Sequence, residues 1–217
     1  GVSTASPVVS GVAITKAGVS YVIFGRRHLL GAAAYTNIDL AALLVTGSPL
    51  GFSICGAAIN DNSGTAVSNA GDFNKDGLGD IIIGASGANP AAGTSRALAG
   101  ISYIIFGRNY TIGAGAYSNI ILTAPSVAGT TVFFSIFGAS GGDRSGSAVA
   151  CAGDVNGDGV ADVVIGAPQA SLVVGSYAGR TAVVFGRSAT LNPTTYYTNF
   201  NLQLIINNGN TGGFSIL

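Results

Sequence analysis

The 217-residue chain contains nine acidic residues, and all nine are aspartate. Six of them fall in two nine-residue segments, 72–80 and 154–162, which share the pattern Asp-x-Asn-x-Asp-Gly-x-x-Asp. Oxygen donors at alternate positions can converge on a hard cation, and the glycine lets the chain turn sharply around it. The pattern predicts two Ca²⁺ sites, because calcium accepts many oxygen ligands in a flexible shell whereas magnesium requires stricter geometry. Neither segment contains a softer donor, which argues against zinc or copper.

Each predicted site uses side-chain oxygens at the first, third, fifth and ninth positions and a main-chain carbonyl at the seventh. The predicted ligands of the first site are Asp72, Asn74, Asp76, the carbonyl of Leu78, and Asp80. The predicted ligands of the second site are Asp154, Asn156, Asp158, the carbonyl of Val160, and Asp162.

Two other interpretations of these segments explain less. An EF-hand needs a glutamate at the twelfth position and flanking helices, but Ile83 and Ile165 occupy those positions within strand-like runs. A pair of hairpin turns explains one Asp-Gly step, but not three aspartates at fixed spacing that occur twice. Two more aspartates, Asp61 and Asp143, share one repeated position, and only Asp39 lies outside this arrangement.

The two segments belong to a repeat with a period of about 80 residues. Four separate sequence markers return with this period, so chance similarity does not explain them. The markers are Tyr21–Arg26 with Tyr103–Arg108 and Ala182–Arg187; Tyr35–Leu40 with Tyr117–Leu122 and Tyr197–Leu202; Phe52–Ile54 with Phe134–Ile136 and Phe214–Ile216; and Gly71–Gly77 with Gly153–Gly159. The chain therefore divides into a partial repeat at 1–51, repeats at 52–133 and 134–213, and the start of another at 214–217.

Short β-branched runs bounded by glycine, such as Ile81–Ile83, Ile101–Phe106 and Val163–Ile165, are typical of buried strands. Another strand is expected at Ala66-Val67 and at its counterpart Ala148-Val149. No segment has a sustained helical period or helix caps, and glycine is too frequent for long helices. The predicted architecture is all-β and repetitive.

Composition limits the partners of such a chain. Hydrophobic residues make up 48%, charged residues only 8%, and the formal net charge is zero. So few charged residues cannot cover the surface of a monomer. We therefore expect apolar surface to be buried against neighbouring repeats or other copies of the chain. A nucleic-acid surface is not expected, and no apolar stretch is long enough to cross a bilayer. We expect Cys55 and Cys151 to be buried thiols, with a disulfide or a reactive thiol as the alternatives.

The loops resemble the FG-GAP repeats of integrin α subunits, whose name refers to a Phe-Gly and a Gly-Ala-Pro around the calcium loop. Phe137-Gly138 and Gly166–Pro168 match these motifs, whereas the first loop has Cys55-Gly56 and Gly84–Ser86 instead. Gly1–Ser3 looks like the end of a third copy. The resemblance implies a β-propeller of four-stranded blades, or an open array of such blades, with the calcium loops on one face. The period is longer than usual for the family, which suggests that the tyrosine-containing marker is an insertion, and a closed propeller needs at least four blades.

The expected function is that of a non-catalytic, calcium-stabilised, extracellular structural or adhesion module. A carbohydrate-binding, lectin-like module stays open as an alternative, with Tyr35, Tyr117 and Tyr197 as candidate ligand contacts, as does a non-catalytic domain of a secreted hydrolase. Catalysis is not expected, because His28 is the only histidine and no nucleophile or acid–base motif is present. A glycan at the single sequon, Asn109, also stays open, as does a protein or glycan ligand.

The two ends of the chain favour self-association. Phe214–Ile216 stops where a calcium segment should begin, and Gly1–Ser3 begins where one should end. Each end is thus expected to present an unfinished β unit, and an unpaired strand edge is a template for another chain. We expect head-to-tail contacts that form a filament, or a ring if the rotation closes.

Overall fold

The computed structural model describes residues 1–9, 12–25, 37–43, 48–90, 96–108, 118–122, 132–171, 177–188, 200–208 and 212–216. The strands in this part of the chain are β1 (Val8–Val9), β2 (Val12–Ala13), β3 (Val19–Ile23), β4 (Gly51–Gly56), β5 (Ser63–Gly71), β6 (Asp80–Ala85), β7 (Ile101–Ile105), β8 (Ile120–Leu122), β9 (Phe133–Phe137), β10 (Ala148–Gly153), β11 (Asp162–Ala167), β12 (Arg180–Val184), β13 (Phe200–Asn201) and β14 (Gly213–Ile216). A 3-10 turn at Leu40–Leu43 and the helix α1 (Leu202–Asn208) complete these elements. Neither is long and apolar enough to span a membrane.

Three sheets carry the repeat. The first sheet has the strand order β3-β4-β8, the central sheet β13-β9-β7-β6-β5, and the last sheet β10-β11-β12-β14; β1 and β2 form a separate hairpin. The strands β5-β6-β7-β9 form one antiparallel four-stranded blade, and β10-β11-β12-β14 form its counterpart. The prediction of an all-β, blade-like repeat fold is confirmed, and Ile83 and Ile165 lie inside β6 and β11, as the exclusion of an EF-hand requires.

The inner strands β6 and β7 of the central sheet are buried on both faces. Ile82 and Ile104 pack in one cluster with Val163 of the last sheet, while Ile83 packs in a second cluster with Phe52 of the first sheet. A strand that is covered on both sides has no solvated face, so its sequence is a continuous apolar run without polar alternation. Burial between neighbouring blades therefore accounts for the high hydrophobic content and the scarcity of charge.

The glycines of the Phe-Gly and Gly-Ala motifs allow close backbone contacts. A Cβ on Gly138 would lie 2.0 Å from the carbonyl oxygen of Ala99, and one on Gly56 would lie 2.0 Å from that of Ala17. A Cβ on Gly84 would lie only 1.9 Å from the carbonyl oxygen of Gly146. Any larger residue at these positions would push adjoining segments apart.

The tyrosine-containing marker, interpreted above as an insertion, leads into β8 and β13. Both are short strands that run parallel to the last antiparallel strand of the preceding blade, β8 beside β4 and β13 beside β9. The short helix α1 follows β13. Asn201 begins this helix by accepting a 3.0 Å hydrogen bond from the amide of Gln203, and Leu202 and Ile205, three residues apart, are buried in the core. So short an apolar segment has too few turns to reveal a helical period in the sequence.

Two smaller predictions concern single residues. Val2 forms an isolated antiparallel bridge with Val19, as Ala85 pairs with Ile101, which supports the interpretation of Gly1–Ser3 as the end of a repeat. Both cysteines are free: Cys55 is buried and Cys151 is half-buried.

Candidate metal centres

Each predicted calcium segment forms the connection between two antiparallel strands. The first connects β5 to β6, whose end residues Gly71 and Asp80 are partners in the ladder. The second connects β10 to β11, where Gly153 and Asp162 are the corresponding partners. The ninth residue of the pattern is thus also the first residue of a strand, and the fold places the other four predicted ligands in the connection itself.

In the first loop, side-chain oxygens accept hydrogen bonds from main-chain amides. Asp72 accepts hydrogen bonds from the amide of Asp76 at Oδ1 and from that of Gly77 at Oδ2, both at 2.9 Å. Asn74 Oδ1 accepts from the same Asp76 amide at 3.0 Å, and Asn74 Nδ2 donates to Asp76 Oδ2 at 2.8 Å. Asp76 Oδ1 accepts from the amide of Leu78 at 2.8 Å. The amide of the fifth residue therefore donates hydrogen bonds to side-chain oxygens of both the first and the third residues.

The second loop repeats this arrangement. Asp154 accepts from the amides of Asp158 (3.0 Å, Oδ1) and Gly159 (2.8 Å, Oδ2). Asn156 Oδ1 also accepts from the Asp158 amide at 3.0 Å, and its Nδ2 donates to Asp158 Oδ2 at 2.9 Å. Asp158 Oδ1 accepts from the amide of Val160 at 2.9 Å. The two loops share these hydrogen bonds although their sequences differ, so the pattern itself determines the shape. The second loop has one more, from the Gly157 amide to Asp154 Oδ1 at 2.8 Å.

Left-handed backbone conformations make the turn tight enough for this. The glycines at the sixth position, Gly77 and Gly159, have φ values of 88° and 78°. At the fourth position Gly157 has φ 75°, but its counterpart Lys75 has φ 57°, which a residue with a Cβ adopts at a cost of about 1–2 kcal/mol. The first loop therefore keeps a strained residue that the second loop avoids.

The ninth aspartate of the first loop has a second role that the sequence did not reveal. Asp80 is 2% exposed, and it accepts hydrogen bonds from the amides of Phe73 (2.9 Å) and Gly107 (2.8 Å). It joins the loop to the residues that follow β7. Burial raises the pKa of Asp80 to about 6; the two amide hydrogen bonds oppose this shift, and the neighbouring Asp76 and Asp72 carboxylates add to it.

Asp162 makes the same connection in the second loop. It is fully buried and accepts hydrogen bonds from the amides of Val155 (2.8 Å) and Gly186 (2.9 Å). Gly107 and Gly186 are the glycines of the repeated Phe-Gly-Arg marker. Their recurrence 27 and 24 residues after the ninth aspartate was the signal available in the sequence, but it did not indicate which side chain they would contact.

The two loops lie side by side on neighbouring blades. The carbonyl of Phe73 accepts a 2.9 Å hydrogen bond from the amide of Arg187, and that of Asp72 accepts a 3.4 Å bond from the amide of Ala161. A Cβ on Gly71 would lie 2.4 Å from the Cβ of Ala161, so backbone and side chain are in close contact here. The first loop is therefore fixed to the last sheet as well as to its own blade.

The aspartates at the other repeated position do not belong to the loops. Asp61 Oδ2 accepts a 2.9 Å hydrogen bond from the amide of Ala58, and Asp143 Oδ2 accepts a 3.1 Å bond from that of Ser140. Both carboxylates are buried in the turns that precede β5 and β10. Burial raises the pKa of each, although these amide hydrogen bonds act in the opposite direction. Their repeated position reflects a repeated turn.

The donor chemistry of the loops fits Ca²⁺. Within the residues that the structure describes, no three His, Cys, Asp or Glu side chains are arranged to hold a metal ion by themselves, so the three aspartates of each loop would need further oxygen donors. Further oxygen donors come from other groups, namely the side-chain amides of Asn74 and Asn156 and the main-chain carbonyls of Leu78 and Val160. Every predicted donor is an oxygen, and a carboxylate oxygen that accepts one amide hydrogen bond keeps a further lone pair. Hard oxygen donors gathered by shared amides suit calcium rather than a softer metal.

The FG-GAP repeat family matches residues 63–105 and 145–184 of the chain. The first match runs from the start of β5 to the end of β7, and the second spans β10 to β12, so each contains one complete loop. No curated protein matches the chain. The resemblance inferred from the sequence motifs is confirmed over these two segments.

Proposed function

We propose that this chain, which carries two FG-GAP repeats at residues 63–105 and 145–184, is a non-catalytic, calcium-stabilised structural or adhesion module that acts outside the cell. The observation that carries the proposal is the shared geometry of the two loops. In both, the oxygens of the first and third residues meet at the amide of the fifth, at 2.9–3.0 Å. The same donor arrangement formed twice supports selection for one ligand.

The first site would be formed by Asp72, Asn74, Asp76, the carbonyl of Leu78, and Asp80. The second would be formed by Asp154, Asn156, Asp158, the carbonyl of Val160, and Asp162. When bound, calcium supplies positive charge that offsets the repulsion among three nearby carboxylates. The protein's own contribution is to hold those carboxylates in place through main-chain amides.

A structural role follows from the way the loops are joined to the sheets. Asp80 and Asp162 connect each loop to the end of another strand of the same blade, through Gly107 and Gly186. The first loop is also joined to the last sheet through the Arg187 amide. A calcium ion that ordered a loop would therefore also stabilise the packing between blades, and with it the repeat array.

The extracellular location is supported by the family and by the expected strength of the sites. FG-GAP repeats typically occur in extracellular proteins of the integrin-α type. Extracellular calcium modules have dissociation constants of about 10⁻⁴–10⁻³ M, and such sites fill at the calcium concentration outside cells but not in resting cytosol. Recovery of the native protein from the soluble cytosolic fraction would contradict this location.

The lectin-like alternative has less support. A cavity of about 230 Å³ lies beside the first loop, between the first and central sheets. Its lining includes Phe24, Phe52, Phe106 and Ile81, with Arg108 as the charged side chain. Sugars need several polar groups for their hydroxyls, and this lining is mainly apolar. The candidate tyrosines Tyr35, Tyr117 and Tyr197, like His28 and Asn109, lie outside the described residues.

Isothermal titration of the chelator-treated protein tests the proposal. We expect two calcium ions per chain, a higher melting temperature with calcium, and a weaker effect of magnesium at equal concentration. Binding of neither ion, with an unchanged melting temperature, would exclude a calcium-stabilised module. A glycan array on the same sample tests the lectin-like alternative, for which we expect no specific binding.

A further inference from the structure

A series of hydrogen bonds joins the ninth aspartate of the first loop to the ninth aspartate of the second. Asp80 accepts a hydrogen bond from the amide of Phe73 at 2.9 Å, and the carbonyl of Phe73 accepts one from the amide of Arg187, also at 2.9 Å. The amide before it, that of Gly186, donates to Asp162 at 2.9 Å. Predicted ligands of both sites are therefore held by the same short segments, which contain no predicted ligand themselves.

A single peptide group makes a second connection between the loops. Its carbonyl belongs to Val160 and is the predicted seventh ligand of the second site. Its N–H belongs to Ala161 and donates to the carbonyl of Asp72, the first residue of the other loop, at 3.4 Å. A cation that binds the carbonyl oxygen polarises the peptide group, and polarised groups form stronger hydrogen bonds. Calcium at the second site would thus strengthen a contact to the first.

The contact between the two loops is also tightly packed. A Cβ on Gly186 would lie 2.2 Å from the carbonyl oxygen of Ala161 in the second loop and 2.9 Å from that of Phe73 in the first. Phe73 is 2% exposed, and its ring stacks on that of Phe134 with the ring centroids 6.1 Å apart. Because close-packed residues leave no space to absorb a shift, a displacement of one loop displaces the other.

The three carboxylates of each loop repel one another unless a cation offsets their charge. In the first loop they are Asp72, Asp76 and Asp80. A calcium ion that gathers them orders this loop and, through Phe73, the contacts that Phe73 makes with the neighbouring blade. A second ion then binds a loop whose shared contacts are already ordered, so it loses less conformational entropy. The shared contacts therefore favour positive coupling between the two sites.

Repulsion between two divalent ions acts in the opposite direction. Its strength is limited because Asp76, Asp154 and Asp158 are exposed, and charges in solvent are screened with a Debye length of about 8 Å at 0.15 M salt. Lys75 Nζ would lie 3.3 Å from a Cβ on Gly159 of the second loop, but this ammonium is present whichever site is filled. It changes the affinity of the second site without coupling the sites. At physiological salt we expect the shared contacts to determine the sign.

We propose that the two calcium sites bind cooperatively through the contacts between Phe73 and the Gly186-Arg187 segment, so that filling either site raises the affinity of the other at least about fivefold. This inference rests on the proposed calcium-stabilised module and describes how its two sites act together. The factor is the same in both directions, because coupling between binding sites is reciprocal. Two neighbouring blades then respond to calcium as one unit, over a narrower range of concentration than independent sites would.

Two single-site variants and the wild type measure the coupling. Asp158→Ala removes a ligand of the second site and reports the affinity of the first alone, and Asp76→Ala, at the equivalent position, reports that of the second. Each protein is freed of calcium with chelator and titrated with calcium by calorimetry at about 0.15 M salt. For independent sites, the product of the two stepwise association constants of the wild type equals the product of the two single-site constants. We expect the wild-type product to be at least about fivefold larger.

Substitutions at Arg187 test whether the proposed contact carries the coupling. Arg187→Pro removes the amide that donates to the Phe73 carbonyl, and Arg187→Ala keeps this amide while removing the same side chain. Each is combined with Asp158→Ala and with Asp76→Ala, and the titrations are repeated. We expect a smaller coupling factor in Arg187→Pro than in Arg187→Ala, with two calcium ions bound by both. Melting curves with chelator check that both variants fold, and the single-site comparison decides the proposal even without Arg187→Pro.

Two results would overturn the proposal. One is a wild-type product within about twofold of the single-site product, and the other is an equal coupling factor in Arg187→Pro and Arg187→Ala. In both cases the chain binds two calcium ions, so the proposed calcium-stabilised module stands and only the cooperativity is lost. A wild-type chain that binds no calcium overturns the module and the cooperativity together, so the number of ions bound distinguishes the two failures.

Discussion

Replacing Asp158 with alanine removes one carboxylate from the second loop and leaves the first loop intact. In the structure this carboxylate accepts hydrogen bonds from the Val160 amide and from Asn156 Nδ2, both at 2.9 Å. The loop is exposed, so water can replace these contacts when calcium is absent. We therefore expect a change of at most about 1 kcal/mol in the free energy of unfolding of the chelated protein.

The larger effect appears when calcium is present. For a dissociation constant of about 10⁻⁴–10⁻³ M, calcium at about 10 mM stabilises the folded state by about 1.4–2.7 kcal/mol per site. At about 2–4 °C per kcal/mol for a chain of this size, each site raises the melting temperature by about 3–11 °C. Asp158→Ala should therefore show about half of the calcium-dependent rise that the wild type shows.

Thermal melts followed by circular dichroism, with chelator and with calcium, measure this difference, and isothermal titration should show a change from two sites to one. Asp39→Asn is the matched control. It removes a carboxylate charge outside both loops while keeping an oxygen for the 2.9 Å hydrogen bond from the Ala41 amide. If Asp158→Ala responded to calcium as fully as the wild type and Asp39→Asn, the assignment of Asp158 as a ligand would be refuted.

Three further predictions concern backbone strain, blade packing and thiol reactivity. Lys75, at φ 57°, is strained, so Lys75→Gly should raise the free energy of unfolding by about 1 kcal/mol in urea titrations. Gly157→Lys, at φ 75°, should lower the free energy of unfolding by a similar amount. Shifts of both variants in the same direction would contradict the strain argument. Gly84→Ala should lower the free energy of unfolding, measured by calorimetry, by about 2–3 kcal/mol, since the new Cβ would lie 1.9 Å from the Gly146 carbonyl oxygen. In Gly166→Ala the nearest atom to the new Cβ is 3.4 Å away, so the free energy of unfolding should change by no more than about 0.5 kcal/mol. Cys55 should resist a thiol reagent until unfolding, because it is 7% exposed and burial raises its pKa, whereas Cys151 should react in the native protein; faster reaction of Cys55 would be inconsistent with this packing.

Local sequence determined much of this fold. The isoleucine run of β6 predicted a buried strand, and the aspartate spacing located both loops, because these features depend on neighbouring residues. The strand β5 (Ser63–Gly71) was anticipated only at Ala66-Val67, since its small and polar residues carry little periodicity. The type and order of elements were therefore predictable, and their limits less so.

Features that depend on distant partners were not predictable in the same way. Asp80 has the spacing of a calcium ligand, but its hydrogen bond to the Gly107 amide depends on how β6 and β7 pair. Asp61 resembles the loop aspartates in its recurrence, yet it closes a turn. The segment Ile120–Leu122 reads as an insertion until its parallel partner β4 is known. In each case the residue type was evident, and the contact required the tertiary structure.

The buried aspartates at the first residues of β6 and β11 also matter before the chain folds. In the unfolded chain, Asp80 and Asp162 stand directly before Ile81–Ile83 and Val163–Ile165, short uncharged runs of high β propensity that favour intermolecular cross-β stacking. These strands cannot carry charges within them, because a charge there would enter an apolar cluster, so the flanking position is the nearest place for one. A charge beside such a run opposes aggregation during synthesis. Once the blade forms, the same carboxylate is buried and accepts hydrogen bonds from two main-chain amides. Each aspartate therefore opposes aggregation of the unfolded strand and then stabilises the folded blade.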